Sequence, residues 1–124
     1  MEETVAIIGA SDKHDRYSYK AFKMLREHGH SVIPIHPRLE IIEGIECAAN
    51  IDELINSARK VDTVTMYVRS EISQKMADAL VKLHPKRVIF NPGAENRDLG
   101  ERLKSAGIEP LEACTLVLLS TGQF

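Results

Sequence analysis

The sequence contains no tryptophan, and aromatic residues make up only 5% of it. So sparse a set leaves little material for the stacking platforms that hold single-stranded nucleic acids. An excess of basic charge is also missing. Sixteen lysines and arginines face 18 aspartates and glutamates, for a formal net charge of −2, so the electrostatic footprint of a nucleic-acid-binding surface is not expected. Cys47 and Cys114 are too few for a disulfide framework or a metal cluster. Reduced thiols in a cytoplasmic setting are the expectation. Purely apolar runs such as Leu116–Leu119 fall far short of a bilayer span, and the opening Met-Glu-Glu-Thr lacks the apolar stretch of a signal peptide. The five histidines form no His-x-x-x-His pair. There is no Gly-x-Ser-x-Gly elbow for a nucleophilic serine.

What is present is ordinary globular material: 124 residues, 44% hydrophobic and 27% charged, a length that fits one domain. Short β-branched runs alternate with amphipathic stretches. Thr4–Gly9 reads as a buried strand. Ser18–His28 reads as a helix capped by Ser18, with Ala21, Phe22 and Leu25 inward and Gly29 as its stop. Ser31–His36 is a second strand, and its Pro34 cannot donate to a ladder, which favours a place near a sheet edge. An irregular segment, 38–50, precedes a helix over Asp52–Arg59. Val61–Val68 is a third strand. Ser70 is placed to cap a helix over Glu71–His84 whose inner face is Ile72, Met76, Ala79, Leu80 and Leu83. A fourth strand, Lys86–Asn91, leads to a helix over Asn96–Ala106, and Ile108–Leu111 forms a short fifth strand. Periodicity leaves the tail, Cys114–Phe124, open between strand and helical turn.

This alternation predicts right-handed βαβ crossovers and a three-layer α/β sandwich around a parallel sheet. In such sheets ligands sit beyond the carboxyl ends of the strands, where strand order reverses. With the first strand central, the loops after the first and fourth strands line that point.

The loop after the first strand, Gly9-Ala10-Ser11-Asp12-Lys13-His14-Asp15-Arg16-Tyr17-Ser18, has the layout of a phosphate-binding turn. Gly9 permits a tight turn, and the following helix start offers free N–H groups to an anion. Lys13, Arg16 and Lys20 add positive charge. The full Gly-x-Gly-x-x-Gly fingerprint is absent, since Ser11 and His14 stand at its second and third glycine positions. An NAD site also wants a carboxylate at the end of the second strand. This chain has His36-Pro37-Arg38 there. An arginine suits a ribose that carries an extra phosphate, as NADP and coenzyme A both do. Asn91-Pro92-Gly93-Ala94-Glu95-Asn96 is a second candidate nest, with Pro92 and Gly93 at its turn. Arg69, after the third strand, can also reach a phosphate.

Gly-Ala-Ser at residues 9–11, Arg16 and Ser18 at the helix start, His28-Gly29-His30, and Val32-Ile33-Pro34-Ile35-His36-Pro37 together resemble the small single-domain CoA-binding proteins, relatives of the CoA-binding domain of succinyl-CoA synthetase. Gly44, Val61–Tyr67, Pro92-Gly93-Ala94, Ala106-Gly107 and Cys114 extend the likeness over nearly the whole chain, 1–124. It departs where His30 replaces the usual aromatic and His36 the usual asparagine. The resemblance implies a Rossmann-type fold with strand order 3-2-1-4-5. It implies coenzyme A or an acyl-CoA as the ligand, held by Gly9, Ala10, Ser11, Lys13, Arg16, Tyr17, Ser18, His36, Pro37, Arg38, Arg69, Pro92 and Gly93, and it implies no assigned reaction. A minimal NADP-dependent oxidoreductase and a regulatory module with a decayed nucleotide site are the alternatives. Neither nucleic acid nor membrane is an expected partner, and a homo-oligomer is compatible with the sequence.

Overall fold

A computed structural model describes residues 2–124. Strand β1 (Thr4–Ile8) leads into helix α1 (Tyr17–Glu27) and strand β2 (Ser31–Ile35). A small hairpin follows, with β3 (Ile41–Ile42) and β4 (Ile45–Glu46) joined through Glu43 and Gly44. Helix α2 (Ile51–Asn56) and strand β5 (Thr63–Met66) come next. Then come α3 (Ser70–Ser73), a 3₁₀ turn (Gln74–Met76) and α4 (Ala77–Leu83). Strand β6 (Arg87–Phe90), α5 (Arg97–Ser105), β7 (Glu109–Glu112) and α6 (Thr115–Ser120) complete the chain. Among the described residues, no helix is long and apolar enough to cross a membrane.

The sheet is parallel and five-stranded, in the order β2-β1-β5-β6-β7. The expected Rossmann-type three-layer sandwich is therefore present. In terms of the five sheet strands its order is 2-1-3-4-5, not the expected 3-2-1-4-5. The reason lies in Pro34. The N–H of Ser31 donates to Glu3 O, while the N–H of His36 and the carbonyl of Pro34 both face Ala48 on the other side. Residues 32, 34 and 36 thus point away from β1. A strand flanked on both sides would need a donor at position 34, and proline has none. Strand β5 has the opposite character. All four of its residues are buried, so it takes the interior place beside β1.

Two apolar layers cover the sheet. Val5 and Ile7 of β1 meet Phe22 and Leu25 of α1 and Leu119 of α6. Ala6 and Ile8 face the other way, into a larger core with Leu54, Val64, Leu80, Leu99 and Leu103. Asn50 caps α2 and Asn96 caps α5, each side chain accepting an N–H three residues on. The expected cap at Ser70 is not formed. Arg69 holds that position, and the Ser70 hydroxyl donates to Glu71 instead. Nor is the Glu71–His84 helix continuous, because the 3₁₀ turn divides it. Ser73, Ala77 and Leu80 enter the core, and Ile72 is left 43% exposed.

At the amino ends of the strands, the Thr63 hydroxyl donates to Glu3 (2.6 Å) and accepts from Arg87 Nε (2.9 Å). The Arg87 guanidinium lies 4.5 Å from the ring centre of Phe124, which also meets the ring of His30. Nδ1 of His30 accepts the Glu3 N–H at 3.0 Å and so carries no proton of its own. Burial pushes the His30 imidazole below its usual 6.5, and the Glu3 carboxylate offsets this only in part. A base depressed on folding binds protons more readily in the unfolded chain. Its contribution is fully present above pH 6.5 and is lost as the pH falls through the depressed folded value. Unfolding free energy should therefore decline on acidification below pH 6.5, and His30→Gln should flatten that decline in urea titrations. An unchanged slope in the variant would assign it to other groups.

Candidate functional site

The order β2-β1-β5 puts the reversal of strand order between β1 and β5. The loops after those two strands flank it, rather than the loops after the first and fourth sheet strands as the sequence suggested, because β5 separates β1 from β6. Gly9 ends β1 with φ +88°. A Cβ placed there would lie 3.1 Å from Val68 Cγ1 and 3.2 Å from the Tyr67 backbone carbon. Glycine is thus needed twice over, for the left-handed conformation and for the close approach of the two loops.

Beyond Gly9 the Ser11 hydroxyl accepts the Lys13 N–H (3.0 Å), and the Arg16 N–H donates to Lys13 O (3.1 Å). This turn brings the chain into helical geometry at Tyr17, earlier than expected. Arg16, not Ser18, is the N-cap residue, and no side chain caps the helix. The first N–H groups of α1 therefore face outward without side-chain partners. They open into a cleft of about 540 Å³ lined by Gly9, Ala10, Ser11, Asp12, Lys13, Arg16, Tyr17, Ser18, His36, Leu39, Tyr67 and Pro92. Nδ1 of His36 accepts the N–H groups of Arg38 (3.0 Å) and Leu39 (2.8 Å). The imidazole thus shapes the turn after β2 as an asparagine side chain could. Glu43, at the hairpin tip, accepts from the Tyr19 hydroxyl and from Lys23 Nζ. His14 stacks on Tyr19 with ring centres 4.4 Å apart. The hairpin is thereby tied to α1 and to the loop after β1.

A second cavity of about 500 Å³ adjoins the first and shares Gly9, Ala10 and His36 with it. Its walls are mainly apolar: Ile8, Ile35, Pro37, Ile51, Val68, Ile72, Met76 and Ala79, with Asp52 and Lys75 as its charged members. Met76 and Ala79 pack against the core as the sequence predicts and also wall this cavity, whereas Ile72, expected inward, is exposed at it. Sequence reasoning missed Asp12, Leu39 and Tyr67 of the first cleft. For Tyr67, its position at the carboxyl end of a central strand was the available signal.

Nine of the thirteen sequence-chosen residues line the first cleft; Pro37 lines the second. Arg38, Arg69 and Gly93 line neither. Arg38 opens onto a third depression beside Glu40, Glu46 and Glu53. Arg69 is exposed ahead of α3. Gly93 sits in an exposed turn whose N–H is taken by its own loop, donating to Glu95 (2.9 Å).

Beneath the cleft lies a buried polar network. Asn91 Nδ2 donates to Thr65 Oγ1 (2.7 Å) and to Met66 O (2.9 Å), and its Oδ1 accepts the Thr115 N–H (2.8 Å). The Thr65 and Thr115 hydroxyls are 2.7 Å apart. The Tyr67 hydroxyl is sealed from solvent beside the Thr65 and Thr115 hydroxyls, without a partner in good hydrogen-bond geometry. Burial pushes its pKa up to about 12, so Tyr67 is a neutral wall of the cleft. Burial likewise raises the Cys47 thiol, with Asp12 adding to the shift, which disfavours a reactive thiolate there.

Over residues 3–120 the sequence matches the family described as a CoA binding domain. It is 24% identical over 103 residues to the uncharacterised protein YneT of Bacillus subtilis strain 168, covering 83% of this chain and 74% of that one. A solved structure of another uncharacterised protein superimposes with a TM-score of 0.89 at 37% identity, over 100% of this chain and 99% of the other. The dinucleotide forming acetyl-coenzyme A synthetase 1 of Ca. Korarchaeum cryptofilum shares the fold, with a TM-score of 0.75 at 20% identity. There 90% of this chain matches 26% of the synthetase.

Proposed function

Because the chain belongs to the CoA binding domain family, we propose that its two joined cavities hold one molecule of coenzyme A or an acyl-CoA, and that it acts as a binding module. The observation that carries this reading is the pairing itself. A cationic cleft at an uncapped helix N-terminus meets an apolar cavity at Gly9, Ala10 and His36. Such a pair suits a ligand with a diphosphate at its centre and a flat apolar ring at one end.

In this reading the diphosphate lies against the first N–H groups of α1, with Lys13 and Arg16 supplying charge and Ser11 shaping the loop. Gly9 lets the loops after β1 and β5 pack closely at the junction of the two cavities. The adenine fills the apolar cavity between Ile35, Ile51 and Ile72. The pantetheine arm leaves past Tyr67 and Pro92. The Gly93 N–H, held by Glu95, has no part in holding phosphate. The lack of a carboxylate at the end of β2 argues against NAD.

Thermal unfolding with CoA, NADP, NAD and ADP tests the reading. At a ligand concentration about a hundred times Kd, binding stabilises by roughly 2.7 kcal/mol, a rise in Tm on the order of 5–10 °C for a chain of this size. CoA should give the largest rise and NAD little or none. Equal shifts with CoA and NAD, or a shift with NAD alone, would overturn it.

A further inference from the structure

An adenosine with a phosphorylated ribose needs a cation near the mouth of the ring pocket. Sequence reasoning chose Arg38. Around Arg38, however, the third depression gathers Glu40, Glu46 and Glu53, three carboxylates to one guanidinium. A phosphate there would meet net repulsion.

The apolar cavity offers another cation. Ile72, Lys75, Met76 and Ala79 follow helical spacing and together wall this cavity. Met76 and Ala79 are half-buried and touch the core from this side, whereas the fully enclosed face of the segment is formed by Ser73, Ala77 and Leu80, 0%, 4% and 0% exposed. The segment thus has two inward-looking stripes, one packed into the protein and one turned to the cavity. Lys75 is the single charge on the cavity stripe, and the 3₁₀ turn that breaks the helix is built around it. Among the described residues Lys75 enters no ion pair. Asp52, from α2, is the cavity's one carboxylate. A lysine stem lying along apolar wall with its ammonium at the rim is an ordinary arrangement for such a residue.

We propose that Lys75 reads the ribose phosphate and so determines specificity for phosphorylated adenosine ligands. The inference rests on the nucleotide reading above and goes beyond it in naming the residue that distinguishes CoA from dephospho-CoA. Asn96 fixes the neighbourhood of this stripe. Its Nδ2 donates to Ser73 Oγ (2.9 Å) and to Ser70 O (3.3 Å), tying the start of the segment to the loop after β6.

Calorimetric titration with CoA and with dephospho-CoA tests the proposal on wild type, Lys75→Met, Lys75→Arg and Arg38→Ala. Wild type should bind CoA at least about tenfold more tightly than dephospho-CoA, the factor that ~1.4 kcal/mol produces. Lys75→Met should erase that ratio by weakening CoA alone, because it keeps the apolar stripe and removes only the charge. Lys75→Arg should restore the ratio, and Arg38→Ala should preserve it. A ratio retained in Lys75→Met, or lost in Arg38→Ala instead, overturns the role of Lys75 while leaving the nucleotide reading intact. Equal wild-type affinity for the two ligands does the same. Absence of binding to either ligand overturns the nucleotide reading and this inference with it.

Discussion

Asn91→Ala is expected to cost about 3–5 kcal/mol of folding free energy, because it strips three hydrogen bonds from a fully enclosed site. The loss of partners matters more than the loss of the bonds. The Thr115 N–H would be left facing a small void without water, while the Met66 carbonyl keeps the backbone N–H of residue 91, and an abandoned buried polar group costs about 1–3 kcal/mol by itself. Asn91 is 2% exposed, and Thr65 and Thr115 are 0% exposed. Stability for a domain of this size is roughly 5–15 kcal/mol, so the variant should unfold about 10 °C or more below wild type. Urea denaturation gives the free energy directly. A loss under about 1 kcal/mol would show that the network relaxes onto other partners. The effect should also reach α6, whose first N–H is the one Asn91 accepts.

Gly9→Ala should cost about 2–4 kcal/mol and abolish the CoA-induced rise in Tm. Two terms act together. The conformation at φ +88° disfavours any Cβ, and the new atom would press at 3.1–3.2 Å on Val68 and the Tyr67 backbone. Relief requires the loops after β1 and β5 to part, which would tilt the start of α1 away from the cleft. Gly93→Ala is the matched control, since Gly93 has φ +91° but open space around its missing Cβ. That variant should lose only the conformational part, on the order of 1 kcal/mol. Equal losses at the two positions would mean that the crowding at Gly9 has no energetic consequence.

The parts of this fold legible in the sequence are those set by local pattern. The continuous apolar run Thr4–Ile8 announces a buried parallel strand, and Gly29, following His28, closes α1 where expected. Strand order is set by long-range pairing and was not legible in the same way, although Pro34 carried the relevant fact. A residue without an N–H leaves a gap in the ladder on its outward side, which disfavours an order with β2 inside. The hairpin over Ile41–Glu46 escaped notice because each of its strands is two residues long. Of the apolar stripe Ile72, Met76 and Ala79, the last two pack against the core as expected while also walling a cavity, and Ile72 is exposed at that cavity. Periodicity reports that a face avoids water in the folded chain. It does not distinguish a face buried by the protein from one that walls a cavity. The loop after β1 was legible because a glycine, a serine and two cations stand in a short span beside a helix start. Arg38 illustrates the limit of that reasoning, since beyond its neighbour Glu40 the glutamates beside it, Glu46 and Glu53, come from the hairpin and α2.

The two borders of the sheet share a feature that bears on self-association. In β7 the N–H groups of Glu109 and Ala113 donate inward to Lys86 and Phe90, so the intervening alternation turns Pro110 and Glu112 outward. In β2 the outward residues are Val32, Pro34 and His36, and the last of these is already engaged by Ala48. Each border therefore presents a proline where a neighbouring chain would look for a donor. At β7, glutamates flank that proline. An incoming strand would find an interrupted ladder on either side and, at β7, a carboxylate as well. The sheet ends at five strands for a chemical reason, and concentrated solutions of the folded protein should resist growth into edge-to-edge polymers.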